Sequence, residues 1–227
     1  MNPSKPYETD TIPTSAGDLS IMFLGHASLL MFFNGKYIYI DPFGEVADYS
    51  KLPKGNLVLV THEHSDHLDL QALKAILTPS TRVVLNPEGA KQIIGGITMR
   101  SGDAQTIDGI LIEAIPAYNL IHLREDGKPF HPKGIGNGYI LTFGDTRIYF
   151  AGDSENTLEM KALKRIDIAF LPMNLPYTMT PEMVADAVKA FRPHILYPYH
   201  YGKTNTNKLV EILKGEKDID IRIRKMA

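Results

Sequence analysis

The sequence predicts an α+β domain in which sheets pack on one another and helices cover their outer sides. Two features of the chain lead there: hairpin-forming pairs of apolar runs precede helical patterns in both halves, and no internal repeat or low-complexity tract interrupts them. Size agrees, since 227 residues with 44% apolar and 22% charged side chains suffice for one well-cored domain. Residues 18–227 are expected to form it. Residues 1–17 are polar, contain Pro3, Pro6 and Pro13, and read as an extended N-terminal arm rather than core.

Leu19 to Phe33 and Lys36 to Ile40 are apolar, aromatic and β-branched, and Asn34-Gly35 between them supplies the positive φ angles of a tight turn, so the two runs read as a β-hairpin. Asn56 to Thr61 is apolar on both faces, as a buried central strand is. Leu68, Leu70, Leu73, Ile76 and Leu77 recur at helical spacing before Pro79. Thr81 to Asn86 reads as a strand and Gly89 to Ile94 as a short helix, and Asp108-Gly109 turns a hairpin into Ile110 to Pro116. A third hairpin joins Tyr139 to Phe143 with Thr146 to Ala151 through Gly144-Asp145. Asn156 to Arg165 is helical in pattern and Ile166 to Leu171 is a strand. Thr180 before Pro181 opens a helix whose Val184, Ala187, Val188 and Phe191 share a face. Strand Ile195 to Tyr199 and a helix from about Thr206 to Leu213 complete the chain.

Composition removes several functions. The formal charge of −2 provides no electropositive field for a phosphate backbone, so nucleic acid is not expected as a partner. The absence of cysteine excludes disulfides, thiolate metal sites, iron–sulfur clusters and a cysteine nucleophile. Any metal must therefore sit on nitrogen and oxygen. No apolar run approaches the roughly twenty residues of a membrane span, and no secretory pattern opens the chain, so a soluble protein is expected. The missing cysteines suit a reducing or an oxidising compartment, and the cytoplasm is taken first with the periplasm, reached by a trimmed leader, as the alternative.

The chemistry is concentrated in Thr61-His62-Glu63-His64-Ser65-Asp66-His67, three histidines and an aspartate on one loop after a strand. Ligands at i and i+2 leave an extended strand end on the same side, so His62 and His64 can share one cation. Asp66 and His67, at the start of the next helix, face a second position. The structural alternative is a polar loop in which Asp66 caps the helix.

These residues resemble the signature of the metallo-β-lactamase superfamily, as do Leu24-Gly25-His26-Ala27-Ser28, Tyr39-Ile40-Asp41-Pro42 and Ala151-Gly152-Asp153-Ser154, in the same order and spacing. The similarity runs from about Leu19 to Gly202 and is greatest to the branch that includes ascorbate-6-phosphate lactonase and the phosphodiesterase acting on N-acyl phosphatidylethanolamine. It implies a four-layer αβ/βα sandwich with a dinuclear site at one edge. It also implies that Asp153 bridges two metals and that His200 completes the second site. On their own, Asp153 reads as a helix N-terminal residue and His200 as a packed ring at a strand end. Asp41 is expected to orient a ligand, and His26 to do likewise or to contact substrate.

One position departs from the pattern. Where that branch carries a further metal-binding histidine, after Ile115-Pro116-Ala117, this chain has Tyr118-Asn119. His131, fixed by Pro132, is the preferred replacement over His122, which lies in a charged, solvated-looking stretch. Asn119 could instead bind through its amide oxygen, or the first site could be weak, leaving a mononuclear enzyme on the second.

A pair of cations roughly 3.5–4 Å apart would lower the pKa of water and stabilise developing negative charge, with Asp66 ligating and holding the nucleophile. Two divalent ions are expected, zinc or manganese first, with iron and nickel also suited to imidazole and carboxylate. The leading expectation is a hydrolase of a small ester, lactone or phosphoester. An iron-containing redox protein of the same fold and a non-catalytic metal-binding module are the alternatives. Lys133 and Lys203 are candidates to neutralise a phosphate, and Tyr118, Tyr177 and Tyr201 to line a pocket. Gly134, Gly136 and Gly138 are expected to form a flexible wall.

Overall fold

In the computed structural model, which describes residues 7–227, the strands form two seven-stranded sheets. The first runs in chain order through β1 (Glu8–Thr14), β2 (Gly17–Gly25), β3 (Ser28–Phe33), β4 (Lys36–Ile40), β5 (Leu57–Leu59), β6 (Arg82–Leu85) and β7 (Ile97–Thr98). Pairing is antiparallel as far as β4 and parallel from there to β7. The second sheet repeats the scheme. Its β8 (Ala104–Ile107), β9 (Ile110–Ala117), β10 (Gly136–Phe143) and β11 (Thr146–Phe150) are antiparallel. Parallel partners β12 (Ile168–Pro172), β13 (Ile195–Tyr199) and β14 (Asp220–Ile221) follow.

Side-chain alternation divides the interior into three apolar layers. Ile38, Ile40, Leu57 and Leu59 meet Leu141, Ile148, Phe170 and Tyr197 between the sheets. On the outer side of the first sheet, Tyr39, Val58 and Val60 pack against Leu73 and Ile76 of α1 (Leu70–Ile76). A short helix, α2 (Pro87–Ala90), follows β6. Outside the second sheet, Ile140, Tyr149, Ala169 and Leu196 pack against α3 (Leu158–Lys161), α4 (Pro181–Phe191) and α5 (Thr206–Leu213). This is the αβ/βα sandwich, with helices on both outer sides. Its longest helix has 11 residues, and no helix among the described residues is long and apolar enough to cross a membrane.

The hairpin turns fall where the dipeptides place them, with Asn34 at φ 47° and Asp108 at φ 53° ahead of their glycines. Several elements differ from expectation. Of the expected arm, residues 1–6 lie outside the described residues, while Glu8–Thr14 is extended but pairs with β2 and buries Ile12 in the central layer. The run from Leu19 to Phe33 is two strands, because Gly25 (φ 128°) and His26 (φ 54°) reverse the chain. Asp66 and His67 precede the helix rather than begin it: Asp69 is the cap of α1, its carboxylate accepting the N–H groups of Gln71 and Ala72. The helix expected over Asn156–Arg165 shrinks to α3: the Thr157 hydroxyl accepts the Met160 N–H at its start, and Arg165, beyond its end, takes a left-handed φ of 54°. Gly136 and Gly138 are not a flexible wall but part of β10, and a Cβ on Gly138 would come within 2.8 Å of the Phe150 and Ala151 carbonyl oxygens.

Candidate metal centre

Six chain segments meet at one edge of the sandwich. Asp41 follows β4, residues 61–67 follow β5, Asp153 follows β11 and His200 follows β13, so all leave the carboxyl ends of parallel-paired strands. The β2–β3 turn adds His26, and the segment before β10 adds His131. Asp41 and His200, like His26, hold left-handed backbone angles (φ 43° for both), so sharp bends aim these side chains inward.

A buried layer of acceptors fixes the histidine rings. Asp41, wholly buried at the end of β4, accepts the Thr61 N–H at 2.7 Å on one oxygen. Its other oxygen accepts the Thr61 hydroxyl and His67 Nδ1–H, both at 2.8 Å. Since the Thr61 hydroxyl donates to that carboxylate, its oxygen is left to accept from His62 Nδ1, 3.0 Å away. Asn119 Oδ1 accepts from His131 Nδ1 at 2.9 Å. In His62, His67 and His131 the Nδ1 side is thus engaged from behind and Nε2 is presented forward, the tautomer that metal-ligating imidazoles use.

The forward nitrogens converge on Asp153 and Asp66. His67 Nε2 lies 3.5 Å from Asp153 Oδ1, and His200 Nε2 and His131 Nε2 lie 3.4 and 3.3 Å from Asp153 Oδ2. His62 Nε2 faces His64 Nδ1 at 3.1 Å. Asp66 Oδ2 stands 3.8 Å from both His67 and His200 and is hydrogen-bonded to His26 Nε2 at 3.1 Å. Donor atoms of His62, His64 and His131 lie within 4.8 Å of one another, as do those of His26, Asp66, His67 and His200, and those of His62, His67 and Asp153. Two adjoining donor clusters therefore share the Asp153 region. His67 Nε2, His200 Nε2 and Asp153 Oδ1 are buried without any hydrogen-bond partner, an arrangement that costs about 1–3 kcal/mol per group unless something binds there.

Electrostatics say the same. Burial works against ionisation of Asp153, yet the His200 and His67 rings beside it hold its carboxyl well below the usual range. Burial likewise disfavours a charged His67, but the Asp153 and Asp41 carboxylates raise it well above an ordinary histidine. His62, without such a carboxylate behind it, is pushed well below by burial and by its histidine neighbours. The cluster calls for positive charge, supplied by protons on imidazole or by cations that displace them.

Residues 20–200 match the family described as the beta-lactamase superfamily domain. The chain belongs to the metallo-β-lactamase superfamily. Among its superfamily relatives, a UPF0173 metal-dependent hydrolase of Thermococcus onnurineus is 33% identical over 199 residues, 81% of this chain and 84% of the relative. A Parabacteroides distasonis protein described as a metal-dependent hydrolase has a crystal structure that superposes with TM-score 0.93, at 44% identity over 97% of this chain and all of that one. A metallo hydrolase of Ignicoccus hospitalis, at 23% identity, shares the fold with TM-score 0.75 over 92% of this chain and 96% of its own. With the first two relatives, this superfamily member is an enzyme of the metal-dependent hydrolase class.

The residues at the superfamily departure are now placed. Asn119 does not face the cluster with its oxygen, which is occupied by His131; it holds the ring that does. His122 turns away, its Nδ1 2.7 Å from Glu155. Lys133 also points elsewhere: its ammonium pairs with Glu159 at 2.8 Å and reaches the Tyr118 hydroxyl, so neither Lys133 nor Tyr118 lines the site. The Tyr201 hydroxyl bonds the Arg224 carbonyl and its ring packs against the core. A cavity of about 310 Å³ opens on the donors, lined by His64, Asp66, His131, Asp153 and His200 together with Arg124, Phe130, Asn174 and Tyr177. Of these, Arg124, Phe130 and Asn174 carried no sequence signal. Nor did Glu155, which accepts the N–H groups of Leu120, Ile121 and His122 and so anchors the loop in front of the site.

Proposed function

We propose that this centre holds two divalent ions, zinc or manganese, and that the enzyme hydrolyses a small ester, lactone or phosphoester. His62, His64 and His131 would hold one ion and Asp66, His67 and His200 the other, with Asp153 between them. The observation that carries the reading is the set of buried donors without partners, His67 Nε2, His200 Nε2 and Asp153 Oδ1, aimed into one space. Ions bound there supply Lewis acidity, lowering the pKa of water towards neutrality and stabilising the negative charge of the attacked group.

The protein's own groups do the rest. Asp66 is the carboxylate with the most exposure at the cavity, 38% of its side chain. Burial opposes its charge, but the hydrogen bond from His26 and the nearby His67 keep it ionised far below neutrality, so it accepts a hydrogen bond from the attacking water and orients it. His26 in turn fixes Asp66. The Ser28 and Ser154 hydroxyls are engaged, donating to the Asp41 and Glu155 carbonyls. The cavity volume lies at the lower end of small-molecule sites, which favours a small substrate.

Metal content by mass spectrometry, combined with hydrolysis of 4-nitrophenyl acetate, a γ-lactone and bis(4-nitrophenyl) phosphate after loading with zinc or manganese, tests the reading. Two ions per chain and turnover that His200→Ala and Asp66→Asn abolish are expected. A loaded protein that hydrolyses none of the three overturns it, and redox-active iron in their place favours the electron-transfer alternative.

A further inference from the structure

Arg124 is the one lysine or arginine among the residues lining the cavity over the donor cluster. Its guanidinium lies 5.0 Å from the centre of the Phe130 ring and donates one hydrogen bond, at 3.3 Å, to the Phe130 carbonyl. No carboxylate lies within 4.0 Å of it among the described residues, whereas Arg147, Arg192, Arg222 and Arg224 are each paired with one. A guanidinium has five N–H donors, so most of this fork is unused by the protein.

The setting fixes the backbone that carries this exposed side chain. Residues 123–129 close a small hairpin through the Leu123–Pro129 bridge, with Arg124 N–H donating to Lys128 O at 2.7 Å and Gly127 N–H to Arg124 O at 2.9 Å. The hairpin's base is tied down by Glu155. Phe130 meets Tyr177 edge to face, ring centres 5.0 Å apart, so Arg124, Phe130 and Tyr177 form one wall of the cavity. The other lysines first considered do not compete: Lys133 is spent on Glu159, and Lys203 lines a neighbouring groove instead.

We infer that Arg124 binds an anionic group of the substrate, a carboxylate or phosphate separate from the bond that is cleaved, while the Phe130–Tyr177 wall packs the short apolar spacer between them. The inference rests on the hydrolase reading above and names the substrate class for it: small anionic esters or lactones rather than neutral ones. A planar fork facing a cavity recognises oxyanions through paired charge-assisted hydrogen bonds, and a lysine cannot reproduce that geometry.

The test uses the metal-loaded full-length enzyme and the mono-4-nitrophenyl esters of succinate, glutarate and adipate against neutral 4-nitrophenyl butyrate, with the phosphonate counterpart of the best ester separating the two anions. Wild type is expected to prefer at least one anionic ester in kcat/KM by tenfold or more. Arg124→Ala is expected to bring the ratio of kcat/KM for the anionic ester to that for the neutral ester down to about one, and Arg124→Lys to restore part of the preference. Calorimetric binding of glutarate and butyrate provides a readout without turnover: the tighter binding of the dicarboxylate disappears in Arg124→Ala. Turnover without anion preference, or a preference that survives in Arg124→Ala, overturns the role of Arg124 and leaves the hydrolase reading standing. Absence of hydrolysis with every ester overturns both.

Discussion

Asn119 Oδ1 accepts two hydrogen bonds from one residue, the His131 backbone N–H at 2.6 Å and its ring Nδ1 at 2.9 Å. The same Asn119 donates from Nδ2 to the Tyr177 carbonyl at 2.8 Å and to Glu155 at 3.2 Å. The amide is therefore clamped on one side and clamps the imidazole on the other. Asn119 thus holds the His131 ring with its Nε2 towards Asp153.

Asn119→Ala should consequently loosen His131 without removing it. Second-layer partners of this kind are worth about 10–100-fold in metal affinity. The expected result is selective weakening of one of two bound ions by that factor, read from competition with a chromophoric chelator. Loss of both ions together, or of neither, would remove Asn119 from this role.

Asp41 offers a second test, because its conservative variant keeps the backbone. Asparagine tolerates the left-handed conformation that Asp41 adopts. With Oδ1 still accepting the Thr61 N–H, the new amide NH2 would confront two donors, the Thr61 hydroxyl and His67 Nδ1–H. Asp41→Asn breaks a fully buried pair, a change that costs about 3–5 kcal/mol. Urea unfolding of the metal-free protein should show that loss; a change under 1 kcal/mol would contradict the role assigned to this carboxylate.

Chelation bears on the donors that have no partner. A ligand that binds only the folded state stabilises it by about 2.7 kcal/mol at a hundredfold excess over Kd. For a chain of this length that corresponds to roughly 5–10 °C in Tm. Zinc or manganese should raise Tm by that order and EDTA should reverse it, while the His67→Ala, His200→Ala double variant should show little response. Equal responses in the two proteins would mean that the ions bind elsewhere.

How much of this was legible in the sequence follows from the range of each interaction. Turns such as Asn34-Gly35 and Asp108-Gly109 declare themselves because positive φ is a local demand. The two-residue strands β7 and β14 are too short to show a period, and β1 carries Pro13 and alternating threonine and aspartate that look like linker. Likewise the run from His62 to His67 is legible because its donors are neighbours in sequence. The pairing of Asn119 with His131 spans 12 positions and that of Glu155 with His122 spans 33, and no periodicity encodes either. Arg124 sits in a charged stretch that reads as solvated, and only the cavity distinguishes it from the lysine four residues on.

The link between the sheets offers a pH test away from the donors. Asp10 on β1 receives both oxygens' worth of hydrogen bonds from Arg224, at 2.9 and 2.8 Å, and others from Arg222 and the Tyr197 hydroxyl. Burial alone would raise its pKa, but these donors outweigh it and hold the carboxyl below the usual range. A folded-state pKa below the unfolded value means that the unfolded chain binds the proton more readily as pH falls. The stabilisation from Asp10 is thus complete above the ordinary aspartate pKa, about 4, and fades as pH drops from there through the lower folded-state value. Asp10→Asn is already without it at neutral pH. Stability curves from pH 7 down to pH 3 should therefore start lower for Asp10→Asn and converge on wild type in acid, because only the wild type has this contribution to lose. Parallel curves would show that the Asp10 charge does not help to join the first sheet to the carboxy-terminal tail.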